Sequence, residues 1–283
     1  MRTTTLSNWL ALSLVLSLAA CGGDDESKGG DTGTNEADAD TDTDADTDTD
    51  TDTDTDPATG ELHGTIVYAD GSPAGGATVR MCSLYCISRD ADDDGNFTFD
   101  AMKGDTYAFD AETHVVEDHA TLLTFLDLAQ EEIRTLDMDV VLPAWTSSTT
   151  LTSAGETEVA GNLIIDADPA GYTAAVGSTD EDKVLSGVAV DPSTSGLPLA
   201  STESQVFAMW YLGNWNTTVD PAWSFRTTDD SGLEPGTVLK IMAADYLGLA
   251  WIDGGTATVQ GDGTIASDSG SGIPMLSTLV LAQ

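Results

Sequence analysis

The chain has 283 residues, with 49 acidic side chains against nine basic ones and a formal net charge of −40. Such an excess repels nucleic acid, whose binding needs clustered Lys and Arg to displace counterions, and it repels anionic lipid surfaces as well. Divalent cations are the natural counter-partners of a chain so acidic, and its thiols are limited to Cys21, Cys82 and Cys86.

At the start of the sequence Arg2 precedes an apolar run from Trp9 to Ala20, which ends in Leu18-Ala19-Ala20-Cys21. The run is short for a bilayer span and its small terminal residues suit a signal-peptidase groove, so residues 1–20 read as a signal peptide. Leu18 to Cys21 resemble the bacterial lipobox, in which the cysteine becomes the lipidated first residue. The resemblance implies a lipoprotein attached through acyl chains on Cys21, outside the cytoplasm, on the outer membrane or cell surface.

Residues 21–59 contain hardly an apolar side chain. Asp24 to Asp56 hold 15 acidic residues against Lys28 alone, and from Asp40 onward nearly every second residue is Asp. A segment of this kind cannot bury a core and repels itself, which predicts a disordered, extended tether.

Past Pro57 the composition turns to β-branched and aromatic residues in short alternating runs, broken by Gly, Asp and Pro every ten residues or so. That grammar predicts an all-β fold with two β-sandwich-like domains in tandem, residues 60–143 and 156–283, joined by a Ser/Thr-rich linker over 144–155. Leu62, Gly64, Ile66 and Tyr68 alternate with His63, Thr65 and Val67. Leu136, Met138, Val140 and Leu142 alternate with Asp137 and Asp139, each run burying one face. Glu112 to Glu132 carries mixed signals and reads mainly as strands with a connecting loop. Cys82 and Cys86 are expected to form a disulfide in an oxidising compartment. Being four residues apart, they need a bend at Ser83-Leu84-Tyr85 to meet. The other use of two thiolates, a metal site, lacks a second Cys or His pair at suitable spacing.

Five pieces between about Gly60 and Leu142 carry a family resemblance: Gly64-Thr65-Ile66-Val67, Asp70-Gly71-Ser72-Pro73, Gly76-Ala77-Thr78-Val79, Asp94-Gly95-Asn96-Phe97-Thr98-Phe99 and Gly104-Asp105-Thr106-Tyr107. In order and spacing they resemble the carboxypeptidase regulatory-like domain, a small transthyretin-like β-sandwich. Asp70-Gly71 and Asp94-Gly95 offer tight turns, and Phe97 and Phe99 offer core plugs. The chain departs from that family in a longer, more acidic loop from Arg89 to Asp94 and around Glu112 to Val115. The domain is not the catalytic part in that family, so the resemblance implies a structural or binding module. Farther on, Leu233-Glu234-Pro235-Gly236-Thr237, the run Trp251 to Val259, Gly261-Asp262-Gly263 and Ser267-Asp268-Ser269-Gly270 resemble a pattern of large bacterial surface proteins, which names no activity.

No Gly-x-Ser-x-Gly elbow, phosphate loop or His-Glu-x-x-His helix occurs in the sequence. His114-Val115-Val116-Glu117 spells the opening of a metallocarboxypeptidase zinc site. It lies inside the regulatory-like segment, however, and His119 is too near to be a distant third ligand. Asp90, Asp92 and Asp94, followed by Gly95, have the spacing of the first half of a calcium loop, but the twelfth position is Ala101 rather than a bidentate Glu. An acidic hairpin turn is the other reading of the same residues. Among the C-terminal aromatics, Phe207, Met209 and Tyr211 fall on one strand face and Trp210 and Leu212 on the other, as core residues would. Trp215 and Trp223 sit in a polar connection and are the rings expected nearest the surface, where they could stack on a glycan. The combined expectation is a lipid-anchored surface protein with a structural, adhesive or binding role, no catalysis and no required cofactor. Its partners would be the membrane through the lipid, and a cell-surface protein or glycan. A cation- or glycan-binding module is the alternative.

Overall fold

The computed structural model describes residues 59–113, 118–175 and 183–283. Cys21, the signal segment, nearly all of the acidic segment and the His114 to Glu117 motif lie outside the described residues. All described residues belong to one compact unit, and its elements are β-strands with two short 3-10 turns.

The first half contains eight strands: β1 (Gly60–Tyr68), β2 (Thr78–Cys82), β3 (Cys86–Asp90), β4 (Asn96–Met102), β5 (Asp105–Glu112), β6 (Leu122–Leu128), β7 (Ile133–Thr135) and β8 (Val140–Leu142). One sheet runs β4-β1-β7, with β8 also on β1, and the other runs β3-β2-β5-β6. Leu62, Ile66, Val79, Met81, Phe99 and Phe109 fill the space between them with no exposed surface. The expected alternating run from Leu136 to Leu142 is not one strand. β7 pairs parallel with Glu61 to His63 and β8 with Ile66 to Tyr68, so the chain leaves the ladder in between and Met138 stays 47% exposed.

The second half contributes β9 (Ser147–Thr150), β10 (Gly155–Val159), β11 (Leu163–Ala167), β12 (Tyr172–Thr173), β13 (Val184–Val190), β14 (Val206–Gly213), β15 (Thr217–Trp223) and β16 (Phe225–Thr228). It continues with β17 (Val238–Asp245), β18 (Ala250–Val259), β19 (Thr264–Ser267), β20 (Ile273–Leu276) and β21 (Thr278–Ala282). Ten of these form one sheet in the order β10-β11-β16-β19-β18-β17-β21-β14-β13-β9, and β12-β15-β20 form a second. The large sheet curls until its ends approach: the Ala160 amide donates to Ser147 Oγ at 2.9 Å, and a side chain on Gly187 would collide with Val159. The Ser/Thr-rich stretch expected to be a linker thus holds β9. Its β-branched threonines suit an edge strand, and it pairs with β13.

The two halves meet on the outer wall of this near-barrel. From β14, Trp210 and Leu212 point into the second half's core with Leu239, Ile241, Leu279 and Leu281, whereas Met209 and Tyr211 point the other way, with Val188 and Val280, into the core of the first half. A bulge between Val206 and Ala208 turns Phe207 toward the second-half core, so it does not share the face of Met209 as simple alternation suggests. β21 is buried at all five positions. Edge strand β6 lies against this wall, where the Leu123 amide donates to Thr278 Oγ1 at 3.0 Å and the Thr124 hydroxyl to the Pro198 carbonyl at 2.7 Å. An edge that would otherwise invite pairing with another chain is thereby covered.

Because the wall is dry on both faces, Trp210→Ala and Tyr211→Ala should each cost roughly 3–5 kcal/mol in denaturant unfolding, although the two side chains point in opposite directions. A cost confined to Trp210→Ala would mean that the first half does not pack on this strand.

Candidate functional site

The seam between the halves collects the polar groups that sequence reasoning did not find. On the outer face of the sheet β3-β2-β5-β6, Arg80 and Asp110 are cross-strand partners. Arg80 Nε donates to Asp110 Oδ1 at 2.8 Å, and its Nη1 donates to Glu112 Oε1 at 2.7 Å. Asp110 has no exposed surface and its Oδ2 has no hydrogen-bond partner. Burial drives its pKa up to about 7, against the opposing pull of Arg80 and with some help from Glu112. The same face carries Cys82, Ala108, Leu123 and Phe125, which pack on Ala244, Tyr246, Leu249 and Trp251 of the second half. Phe125 meets Trp251 edge to face at 5.7 Å between ring centroids.

Cys82 and Cys86 form the expected disulfide. They are directly opposed at the mouth of the β2–β3 hairpin, with Cα atoms 4.0 Å apart, because Ser83-Leu84-Tyr85 makes the bend. The Tyr246 hydroxyl, some 160 residues on, lies 3.0 Å from Cys82 Sγ and 2.9 Å from Cys86 Sγ. Its ring stands 5.0 Å from that of Trp215. Beyond the disulfide the hairpin tip presents Leu84 and Tyr85 at 88% and 84% exposure.

Trp215 is half-buried against Tyr246, near the surface as expected, but Trp223 is not: it is 2% exposed and packs beside Tyr172. The polar composition of its neighbours misled, because Trp223 ends β15 opposite Ile273 and so turns into the core. The two rings do not form one glycan platform.

The acidic loop is a capped turn rather than a hairpin, because it carries the chain from β3 in one sheet to β4 in the other. Asp92 Oδ1 accepts from the amides of Asp94 and Asn96 at 3.0 and 2.8 Å, and Oδ2 accepts from Asn96 Nδ2 at 3.3 Å. These bonds, with Asn96 foremost, hold the Asp92 pKa below the ordinary carboxylate value. Gly95 takes φ +80°, and a side chain there would strike the Ile66 carbonyl. Asp90 accepts from Thr78 Oγ1 at 3.0 Å across the β2–β3 ladder. Among the described residues no three His, Cys, Asp or Glu side chains are grouped to hold a metal. His63 is bonded to Thr98 and Glu61, and His119 packs against the Tyr68 ring.

A concavity lies in the same seam, where the segment after β13 returns to the first half and the Val141 amide donates to the Ser195 carbonyl at 2.9 Å. It encloses about 750 Å³ between Phe125 and Leu126 of β6, the stretch Arg134 to Met138, and Leu197 to Ser201. Its lining is mostly apolar, with Arg134, Asp127 and Asp137 as the charged groups, and its volume falls in the range of ligand sites. No family model matches the chain, and no curated protein matches it either.

The Asp110 carboxyl holds its proton more tightly in the folded state than in the unfolded chain, so its contribution lowers stability as pH rises from about 4 to about 7. Relative to Asp110→Asn, the unaltered protein should lose roughly 1 kcal/mol per pH unit across that window in chemical denaturation. A difference between the two that stays constant from pH 4 to pH 8 would contradict this.

Proposed function

We propose that this chain is a lipid-anchored surface protein, held at Cys21 and displayed beyond an acidic spacer, whose folded unit binds or supports a partner and performs no catalysis. The observation that carries the reading is the Cys82–Cys86 disulfide, since a disulfide persists in an oxidising compartment and the Leu18 to Cys21 sequence specifies export to one. The small two-sheet sandwich of the first half, with Phe97 and Phe99 in its core, supports the regulatory-like resemblance and hence a non-catalytic module.

Fractionation tests the anchor. In a bacterial host that processes lipoproteins, the chain should partition with membranes and incorporate labelled palmitate, and Cys21→Ser should abolish the labelling and leave an unprocessed or mislocalised product. Equal membrane partition and normal processing of Cys21→Ser would contradict the anchor.

A further inference from the structure

The seam cavity is bounded by an open strand edge. Among the described residues β7 ends the sheet β4-β1-β7 and pairs with β1 alone, parallel, with Arg134 opposite Leu62. The bonds flanking it show which backbone groups are used. The Glu132 carbonyl accepts from the Glu61 amide at 2.8 Å, and the Leu136 amide donates to the His63 carbonyl at 2.9 Å. Backbone groups alternate sides along a strand, so the even-numbered residues here face β1, and the N–H and C=O groups of Ile133 and Thr135 face away from it. Thr135 and Asp137 both line the cavity. Ile133, at the start of the same edge, is 70% exposed, and Met138 at its far end is 47% exposed.

Opposite this edge stand Phe125 and Leu126, with Leu197 and Leu199 from the returning segment. The groove thus has the outward edge of β7 on one wall and a largely apolar lining on the other. That combination suits an added β-strand, whose main chain supplies hydrogen bonds while alternate side chains enter the apolar wall. Charge narrows the occupant further. Arg134 is taken up by Glu132 at 2.7 Å, which leaves the exposed carboxylates of Asp127 and Asp137 on a chain of net charge −40. A partner strand with Lys or Arg beside its apolar residues is attracted, and an acidic one is repelled.

We infer that the groove between β7 and the Leu197–Leu199 segment binds an extended, apolar polypeptide segment flanked by basic residues, which pairs as a strand on Ile133 and Thr135. This names the kind of partner for the binding role proposed above and rests on that reading for its biological setting. The test does not use the anchor, so either can fail without the other.

Random octapeptides displayed on phage should be panned against the purified full-length chain, and enriched peptides titrated calorimetrically. The inference expects enrichment of alternating apolar sequences with Lys or Arg. Their affinity should fall about tenfold or more in Thr135→Pro, which removes an outward N–H, and in Asp137→Lys, which replaces a carboxylate of the lining with an ammonium. Proline is tolerated at an edge position whose N–H makes no ladder bond, and Asp137 is exposed, so both variants should melt close to the unaltered protein. The inference is overturned if no such sequences are enriched, or if those enriched bind both variants as tightly as the unaltered chain. Enrichment of acidic peptides, or of peptides that bind elsewhere, overturns it equally.

Discussion

Met209 and Tyr211 leave β14 on one side, Trp210 and Leu212 on the other, and neither side meets water. The neighbouring β21 is buried along its whole length, and together these strands form a wall with a hydrophobic core on each face. Apolar burial is roughly proportional to area removed from water, so a strand covered on both faces contributes about twice what a half-exposed strand does. The first half draws on that wall directly. Its edge strand β6 is sealed by Thr278 and Pro198, and without them it would offer unpaired backbone groups to other chains.

Packing the two halves so closely leaves polar groups in a dry seam, and the protein meets this with a few specific contacts. Burial raises the pKa of Asp110, and Arg80, which bonds one of its oxygens only, offsets that in part. The disulfide closes the β2–β3 hairpin, and the Tyr246 hydroxyl settles on both sulfurs from the second half. Where the wall stops, the returning segment from Asp191 to Thr202 spans the remaining gap, and the groove lies beneath it. The proposed binding site therefore depends on both halves: neither alone supplies both the open edge of β7 and the lining of Leu197 and Leu199.

Strand identity and the all-β class were legible because alternation with Gly, Asp and Pro punctuation is a local signal. Phe97, Phe99, the Ser83-Leu84-Tyr85 bend and the Asp92 to Gly95 turn all stand where that signal puts them. Exposure of single rings was not legible. Trp215 and Trp223 share a polar neighbourhood in sequence, yet register against Ile273 buries Trp223 fully, whereas Trp215, tilted against Tyr246, is only partly covered. The seam was invisible for a related reason. An isolated Asp in the run Tyr107-Ala108-Phe109-Asp110-Ala111 and an Arg in the middle of β2 carry no information about each other until the two strands pair. The groove depends on contacts across more than fifty residues of chain, which no local pattern encodes.

Amide hydrogen exchange in native conditions tests the shared wall most directly, because it reports which segments open together. If β14 and β21 are core to both halves, their amides and those of β5 and β6 should exchange in the slowest class with one common opening free energy, which Thr278→Val lowers equally for all four strands. Exchange of β5 and β6 through a separate, easier opening, with β14 and β21 still protected and indifferent to Thr278→Val on the β6 side, would show that the halves are independent and contradict the account.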